Sequence, residues 1–549
     1  MKKQLSRAIA LLLAVVFILA LAACGDSGSN NPGTSNNPNA GANPTSGGST
    51  NSGNEGNEGN GGSTYHSLTI GTGSATSTMT PFGTWSAGVA EKAVFEQLAT
   101  LDGVGGELTG IIAKEWHTID DGTTWDVTIY DYVHDSAGNH ITAEDVAFCA
   151  NDRIGIAVMT KCLACEVVGE YTVRITLANN GLGTLNAVMN GFNIVSQAAY
   201  EASPDGMATA PIGTGPYIVD DFVAGGYVTI VKNEDYWQTD ESLRNLYAKA
   251  TVDELTFITI QEATQQTIGL ETGTIDAMNV ITNTEVDKFE EGGQYASDFT
   301  VLPAPLQQFY MTSFSGDPSR PTSDDLNLRL AIAYAIDTQG LIAGGMDGRA
   351  TEVKYLGMPL FPDNPTEPDS YFEYNPELAK DYLKKSNYKG ETIHIVCQNS
   401  GTYAKLCQII ENYLEAVGID AEVNAYDNAM WQTAYSDPSQ FDMVVCQIGS
   451  SDYLTAAWAT PFSTQPSTGK SKAGWDDAEL KRLIELVQTE AGHTQENLDA
   501  LQNLVNENMY ALSYFYSYSY NIWNNDTNIV DVPIGCKAEL IWWCAEFAD

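Results

Sequence analysis

The chain has 549 residues and a formal charge of −44, from 26 Lys and Arg against 70 Asp and Glu. Neutralising nucleic-acid phosphates takes a basic face, and so acidic a chain offers no candidate for one. With 43% apolar and 10% aromatic residues it can build a large globular body, one too long for a single core, so two or more domains are expected.

The first element is "AIALLLAVVFILALAA", residues 8–23, preceded by Lys2, Lys3 and Arg7. A membrane-spanning helix needs about 20 apolar residues, so this run is short for a permanent anchor. A basic start, an apolar middle and small residues before a cut site describe a secretory signal peptide over 1–23. Leu21-Ala22-Ala23-Cys24 resembles the bacterial lipoprotein signal, in which the cysteine is lipidated and becomes the new N-terminus. That resemblance implies lipidation at Cys24 and a tether to the extracellular face of the bacterial cytoplasmic membrane, without a span across it. Residues 25–64 are almost entirely Gly, Ser, Asn, Thr and Pro, with no aromatic or branched aliphatic side chain. Such a segment cannot bury enough apolar surface to order itself. Residues 24–64 are therefore expected to be a lipidated linker with a reach on the order of 35 Å. "GDSGS" at 25–29 looks like a serine-protease motif but lies inside this linker, with no scaffold to fix a partner.

The body begins with "HSLTIGTGSA" (66–75), a strand leaving into a loop. Apolar positions in "VAEKAVFEQLATLD" (89–102) have helical spacing. "TTWDVTIYDYVHD" alternates as a strand, and Thr142 opens a helix with Glu144 and Asp145 in its first turn. "EYTVRITLA" (170–178) is a further strand. Asp324 or Asp325 can cap "LNLRLAIAYAI", and Asn375-Pro376 is a cap with proline at the first helical position. Apolar residues 406, 409, 410, 413, 414 and 417 form one helical stripe, which Gly418 ends. "ETIHIVCQ", "IDAEVNAY" and "FDMVVCQI" flank and follow that helix, which predicts a parallel α/β layer. Two late helices complete the body.

Nine cysteines include Cys24. Cys162 and Cys165 have CxxC spacing, with no second pair or nearby His to complete a zinc set. Cys397, Cys407 and Cys446 sit in apolar runs and are expected to be small buried side chains. Pairs 397–407 and 162–165 remain open as disulfides. Six scattered histidines (66, 117, 134, 140, 394, 493) form no metal cluster.

Seven collinear blocks resemble the family 5 extracellular solute-binding proteins, the oligopeptide, dipeptide and nickel receptors of bacterial ABC importers. They are "IIAKEWHTIDDGTTWDVTIYDYVHDSAGNHITAEDVAFCANDRI" (111–154), "PIGTGPYIVDDF" (211–222), "NEDYW" (233–237), "LETGTIDAM" (270–278), "NLRLAIAYAID" (327–337), "YNPELAKDYLKKSNY" (374–388) and "YLEAVGIDAEV" (413–423). The resemblance spans about residues 66–549. It implies a two-lobed, hinge-closing α/β fold of the periplasmic-binding-protein type (type II), with an extra subdomain in lobe one. Lobe one is then expected over 65–310, lobe two over 311–508 and a return to lobe one over 509–549. The crossings are the aromatic stretches "LQQFYMTSF" and "MYALSYFYSYSYNIW".

The same resemblance implies a site. Asp452, in "FDMVVCQIGSSDYLTAAW", matches the aspartate that pairs with a peptide's α-ammonium, although "YLTAAW" departs from the Pro-containing continuation of the family. The alternative for Asp452 is a turn cap. Phe82 and Trp85 are expected to line the cleft from lobe one, with Tyr453 and Trp458 opposite and Tyr310 on the first crossing. Aromatic walls suit peptide side chains and sugar faces equally, and core packing is the plain alternative for each ring. Arg320 and Arg349 are weak candidates for a ligand carboxylate. The implied function is a monomeric, lipid-anchored receptor that delivers oligopeptides to an ABC permease, with no cofactor, no metal and no catalysis. An oligosaccharide or nickel-chelate ligand, or peptide sensing, is the alternative. An exported hydrolase is least supported, because neither GxSxG nor HExxH occurs.

Overall fold

Two long neighbouring strands organise the molecule: Phe299–Phe314, 16 residues, and Ala511–Asn524, 14 residues, antiparallel to each other. The computed structural model describes residues 65–548 apart from 83–89, 104, 154–160, 282, 369–370, 450–452 and 466–467. The long pair sits in the middle of an eleven-stranded sheet. Beyond Phe299–Phe314 lie Met443–Gly449, Ile393–Gln398 and Ala421–Tyr426, in that order. Beyond Ala511–Asn524 lie Ala277–Ile281, Ser67–Thr72, Glu254–Thr259, Tyr227–Lys232 and Tyr217–Val223.

Pairing between the long strands slips between Pro305 and Phe309 and again between Tyr310 and Met311. Proline has no N–H to donate to a ladder, and an irregular register bends and twists a strand pair. Each side of the slip has its own apolar core. One gathers Ile70, Phe95, Phe257 and Trp542, and the other Phe309, Ile332, Trp458 and Phe515. The result is the expected α/β fold with two lobes.

The parallel layer read from residues 391–448 is present. Ile393–Gln398 pairs in parallel with both Ala421–Tyr426 and Met443–Gly449. Helix Gly401–Val417 makes the crossover and buries Leu406, Cys407, Ile410, Leu414 and Val417, while Gly418 ends it at φ 94°. The local caps also form. Asp325 accepts from Leu328 N–H (3.1 Å) and Asn375 from Leu378 N–H (3.0 Å). Asp145 accepts from both the N–H and the hydroxyl of Thr142. The eight described cysteines are buried free thiols.

The helical spacing over 89–102 is realised for one turn only, Glu91–Val94. Phe95 is extended and Ala99–Leu101 is a strand. The cause is tertiary. Gly215 N–H donates to Val94 O (2.9 Å), the carbonyl that a continuing helix would use. A Cβ on Gly213 would lie 2.0 Å from the same oxygen, so only glycine lets this loop dock there.

The docked segment places Glu96 inside lobe one, 4% exposed. Its carboxylate accepts from Tyr236 O–H (2.6 Å) and Trp237 Nε1–H (2.7 Å). The aromatic pair of "NEDYW" is thus pinned by one buried acid. Burial pushes that carboxyl up to about 7, against the pull of its hydrogen bonds. A raised native pKa means that stability is lost as pH rises through it. Glu96→Gln, an isostere of the protonated acid, should therefore gain on the wild type between pH 5 and pH 8, by up to about 3 kcal/mol. Urea unfolding at the two pH values measures this, and an equal difference at both would contradict it.

Candidate functional site

The carboxyl ends of the parallel strands in both lobes converge on the register slip. Met443–Gly449 ends with Gly449 opposite Gln308. Ala277–Ile281 ends with Ile281 opposite Tyr520, which itself pairs with Pro303. In open α/β sheets, ligands bind at the carboxyl ends of the strands. Here two such edges face each other across one hinge. The lobes also touch at the rim. Leu182 N–H donates to Gln488 O (2.8 Å), and Gly105 packs against Leu360 and Pro362.

On the lobe-two side the strand end is tight. A Cβ on Gly449 would lie 1.9 Å from Gln307 O, so the chain leaves the sheet hard against the hinge. After 450–452 it enters helix Leu454–Phe462. That helix start is pinned from outside by Asp363, 3% exposed. Asp363 Oδ1 accepts from Leu454 N–H (2.7 Å) and Oδ2 from Thr455 N–H (3.0 Å). His493 Nε2 lies 3.9 Å from Oδ2, and the ring of Tyr453 meets His493 edge-to-face at 5.5 Å. Burial raises the pKa of Asp363 and the two amides oppose it, the balance expected of a buried acid that replaces the first-turn acceptors of a helix.

The floor beneath is aromatic. Tyr310 is 5% exposed, with ring centroids 4.9 Å from Phe515 and 5.6 Å from Tyr403. Tyr403 O–H donates to Gln447 Oε1 (2.9 Å), and burial pushes the phenol of Tyr310 up to about 12.

Across the hinge, the lobe-one wall includes the C-terminal turn Ile534–Leu540. Gln307 Nε2 donates to Cys536 O and so ties this turn to the slip itself. Cys536 N–H donates to the hydroxyl oxygen of Tyr247 (2.9 Å). Lys92 pairs with Glu539, which also accepts from Tyr247 O–H (3.1 Å).

The side chains expected at the site therefore divide. Tyr453 is half-buried beside the pinned helix start. Trp458 is fully buried, and its Nε1–H donates to Leu356 O (2.8 Å). It is a core ring of lobe two rather than a cleft wall, because its indole closes a polar bond inside the lobe. Phe82 is half-buried against Tyr200 and Phe148, at 4.8 and 5.9 Å, on the lobe-one core. Tyr310 is floor. Asp452, Trp85 and Cys24 lie outside the described residues. Arg349 holds Glu290 with two hydrogen bonds (2.7 and 3.0 Å) and pairs with Asp287. Arg320 donates to Ser439 O (2.7 Å). Both are engaged in the scaffold. Among the described residues no group of three or more His, Cys, Asp or Glu is arranged to hold a metal.

Sequence reasoning missed Asp363, His493 and the C-terminal turn. None carries a local signal, since Asp363 caps a helix 91 residues away. Asp363→Ala removes both acceptors and should cost about 1–2 kcal/mol. Asp363→Asn keeps one acceptor and turns an NH2 donor toward the other amide, so it should recover only part of that loss. Urea unfolding checks this, and an unchanged midpoint in Asp363→Ala would contradict the cap.

The comparisons agree with this architecture. The family model "Bacterial extracellular solute-binding proteins, family 5 Middle" matches residues 107–470. The chain is 24% identical over 368 residues to the nickel-binding periplasmic protein of Escherichia coli K12, covering 61% of this chain and 66% of the relative, slightly under two thirds of its length. It is 21% identical over 510 residues to the oligopeptide-binding protein OppA of Bacillus subtilis, covering 82% and 87%. The crystal structure of the ABC transporter substrate-binding protein CtaP of Listeria monocytogenes shares the fold at TM-score 0.71, with 18% identity over 88% of this chain and 100% of that one. The family is one of solute-binding proteins and not of enzymes. Two lobes, a slipped strand pair between them and a family match across most of the body lead to one conclusion: the chain belongs to the bacterial extracellular solute-binding proteins of family 5.

Proposed function

We propose that this protein captures oligopeptides between its lobes and delivers them to the permease of an ABC importer. The lobes are residues 65–310 with 509–549, and 311–508. The protein acts as a monomer, held at the outer face of the cytoplasmic membrane by acyl chains on Cys24 and a linker over 24–64. Family membership supports extracellular solute binding. The OppA relative, matched over 82% of this chain, supports a peptide as the solute.

One observation carries the reading. The strand that leads into residue 452 ends against the hinge, at the carboxyl edge of the lobe-two sheet, where a carboxylate would meet a ligand held between the lobes. A buried carboxylate is costly unless paired, and a peptide ammonium supplies the pair with a charge-assisted hydrogen bond. Phe82 and Trp85 on one side and Tyr453 on the other would contact side chains of the peptide.

A binder at a hundredfold over its Kd stabilises its receptor by about 2.7 kcal/mol. Di- to hexapeptides should raise the melting temperature of the protein, and Asp452→Asn should reduce that rise. A response to cello- or xylo-oligosaccharides alone would contradict the peptide assignment. Cys24→Ser should move the protein from the membrane fraction to the soluble fraction of expressing bacteria, and retention on membranes would contradict the lipid anchor.

A further inference from the structure

We propose that Arg349 is an interlobe latch: carried by lobe two, it holds Glu290 and Asp287 of lobe one and so favours the closed arrangement in which a solute is retained. The inference rests on the capture function proposed above and deepens it. It makes Arg349 a positioning residue for closure and not a contact of the solute.

The cation moves with lobe two. Helix Thr338–Gly345 buries Leu341 and Ile342 in the lobe-two core. The chain then turns through Asp347 (φ 53°) and Gly348 (φ 79°). Gly348 N–H donates to Ile342 O (3.0 Å) and Arg349 N–H to Met346 O (2.9 Å). Asp347 lies 3.6 Å from Lys405 Nζ of the crossover helix. The next residues, Ala350 and Thr351, pair with Ser517 and Tyr516, within the stretch where the long strands lose register. Arg349 therefore leaves the chain at the hinge itself.

The acids move with lobe one. They follow strand Ala277–Ile281 in a turn closed by Phe289 N–H to Val286 O (2.9 Å). Phe289, fully buried, packs on Phe299 and Tyr295 with ring centroids 5.1 and 5.6 Å away. Ile275 and Met278 share that apolar cluster and lie against Gly71 of strand Ser67–Thr72, in the lobe-one sheet.

Across the hinge the geometry is that of a fork. Arg349 Nη1 donates to Glu290 Oε1 (3.0 Å) and Nη2 to Glu290 Oε2 (2.7 Å), and Nη2 also donates to Asp287. The guanidinium lies 5.0 Å over the ring of Tyr520, which pairs with Pro303 on the hinge strand. The side chain of Arg349 is only 14% exposed, so water screens the contact less than it does an open surface pair. A bidentate fork tolerates little change in orientation, and a rotation of lobe two about the slip carries Arg349 away from both acids. In this structure the fork and the rim contact between Leu182 N–H and Gln488 O are made together, so the latch belongs to the closed arrangement. An observed Kd is the intrinsic one divided by the fraction of competent protein. The latch thereby tightens binding of every solute the cleft accepts, whatever its end groups.

The test uses the full-length protein and matched tri- to pentapeptides, each as the free acid and as the C-terminal amide, with affinities from calorimetry. Arg349→Met should weaken binding about fivefold or more, by the same factor for acid and amide. Glu290→Gln should weaken it too, and the double variant should bind no more weakly than Arg349→Met alone, as groups acting as one unit do. Ligand-free melting temperatures check folding, and Glu290→Gln, a near-isosteric change of a half-exposed side chain, carries the test if Arg349→Met does not fold. Unchanged affinity in the single variants, or losses that add in the double one, overturns the latch and leaves the peptide reading standing. A loss confined to the free acids also overturns it, by making Arg349 a contact of the solute. If the wild type binds no peptide, the peptide reading falls, and scattering of the ligand-free proteins decides for the latch: a larger radius of gyration in Arg349→Met supports it and an unchanged one overturns it.

Discussion

Everything in this molecule depends on a defect in one strand pair. Phe299–Phe314 and Ala511–Asn524 run through both lobes and would make a stiff continuous ribbon if their register held. It does not hold between Pro305 and Phe309. The prolines at 303 and 305 withhold two amides from the ladder just before the slip, so the ribbon is weakest where the lobes meet. Lobe motion about such a joint is cheap relative to breaking either core, because few backbone bonds have to change. The same joint gathers the carboxyl ends of the parallel strands of both lobes, so the place that bends is also the place where a solute would lie.

Around this joint, rigidity comes from buried polar groups rather than from apolar packing alone. Asp363 fixes the start of Leu454–Phe462 by accepting two amides. Glu539 fixes the C-terminal turn through Lys92, Tyr247 and the amide of Lys537. Glu96 fixes Tyr236 and Trp237 deeper in lobe one. Each is an acid placed where an unpartnered carboxylate would be expensive, so each holds its partners in one geometry. Loops near a binding site must be precise although loops are intrinsically mobile, and these acids supply that precision from segments distant in sequence.

Much of the scaffold was legible because its causes are local. Asp325, Asn375-Pro376 and Gly418 mark helix ends through bonds to residues three or four positions away, and the apolar stripe from 406 to 417 needs only its own period. The helix expected over 89–102 fails because Gly213 and Gly215, far along the chain, occupy the carbonyl it would use. Trp458 was legible as an aromatic near the turn, open to cleft or core alike; what decides for the core is its bond to the carbonyl of Leu356, 102 residues away. Asp363 carries no motif at all. Its role comes from where the fold sets it, against a helix start, and no window of sequence contains both sides of that contact.

The central claim is that the two lobes close about the slip when a solute enters. Small-angle X-ray scattering of the protein, with and without a saturating peptide that raises its melting temperature, tests this most directly. The account expects a smaller radius of gyration and a shorter maximum dimension on binding. Superimposable profiles in the presence of bound peptide would contradict it.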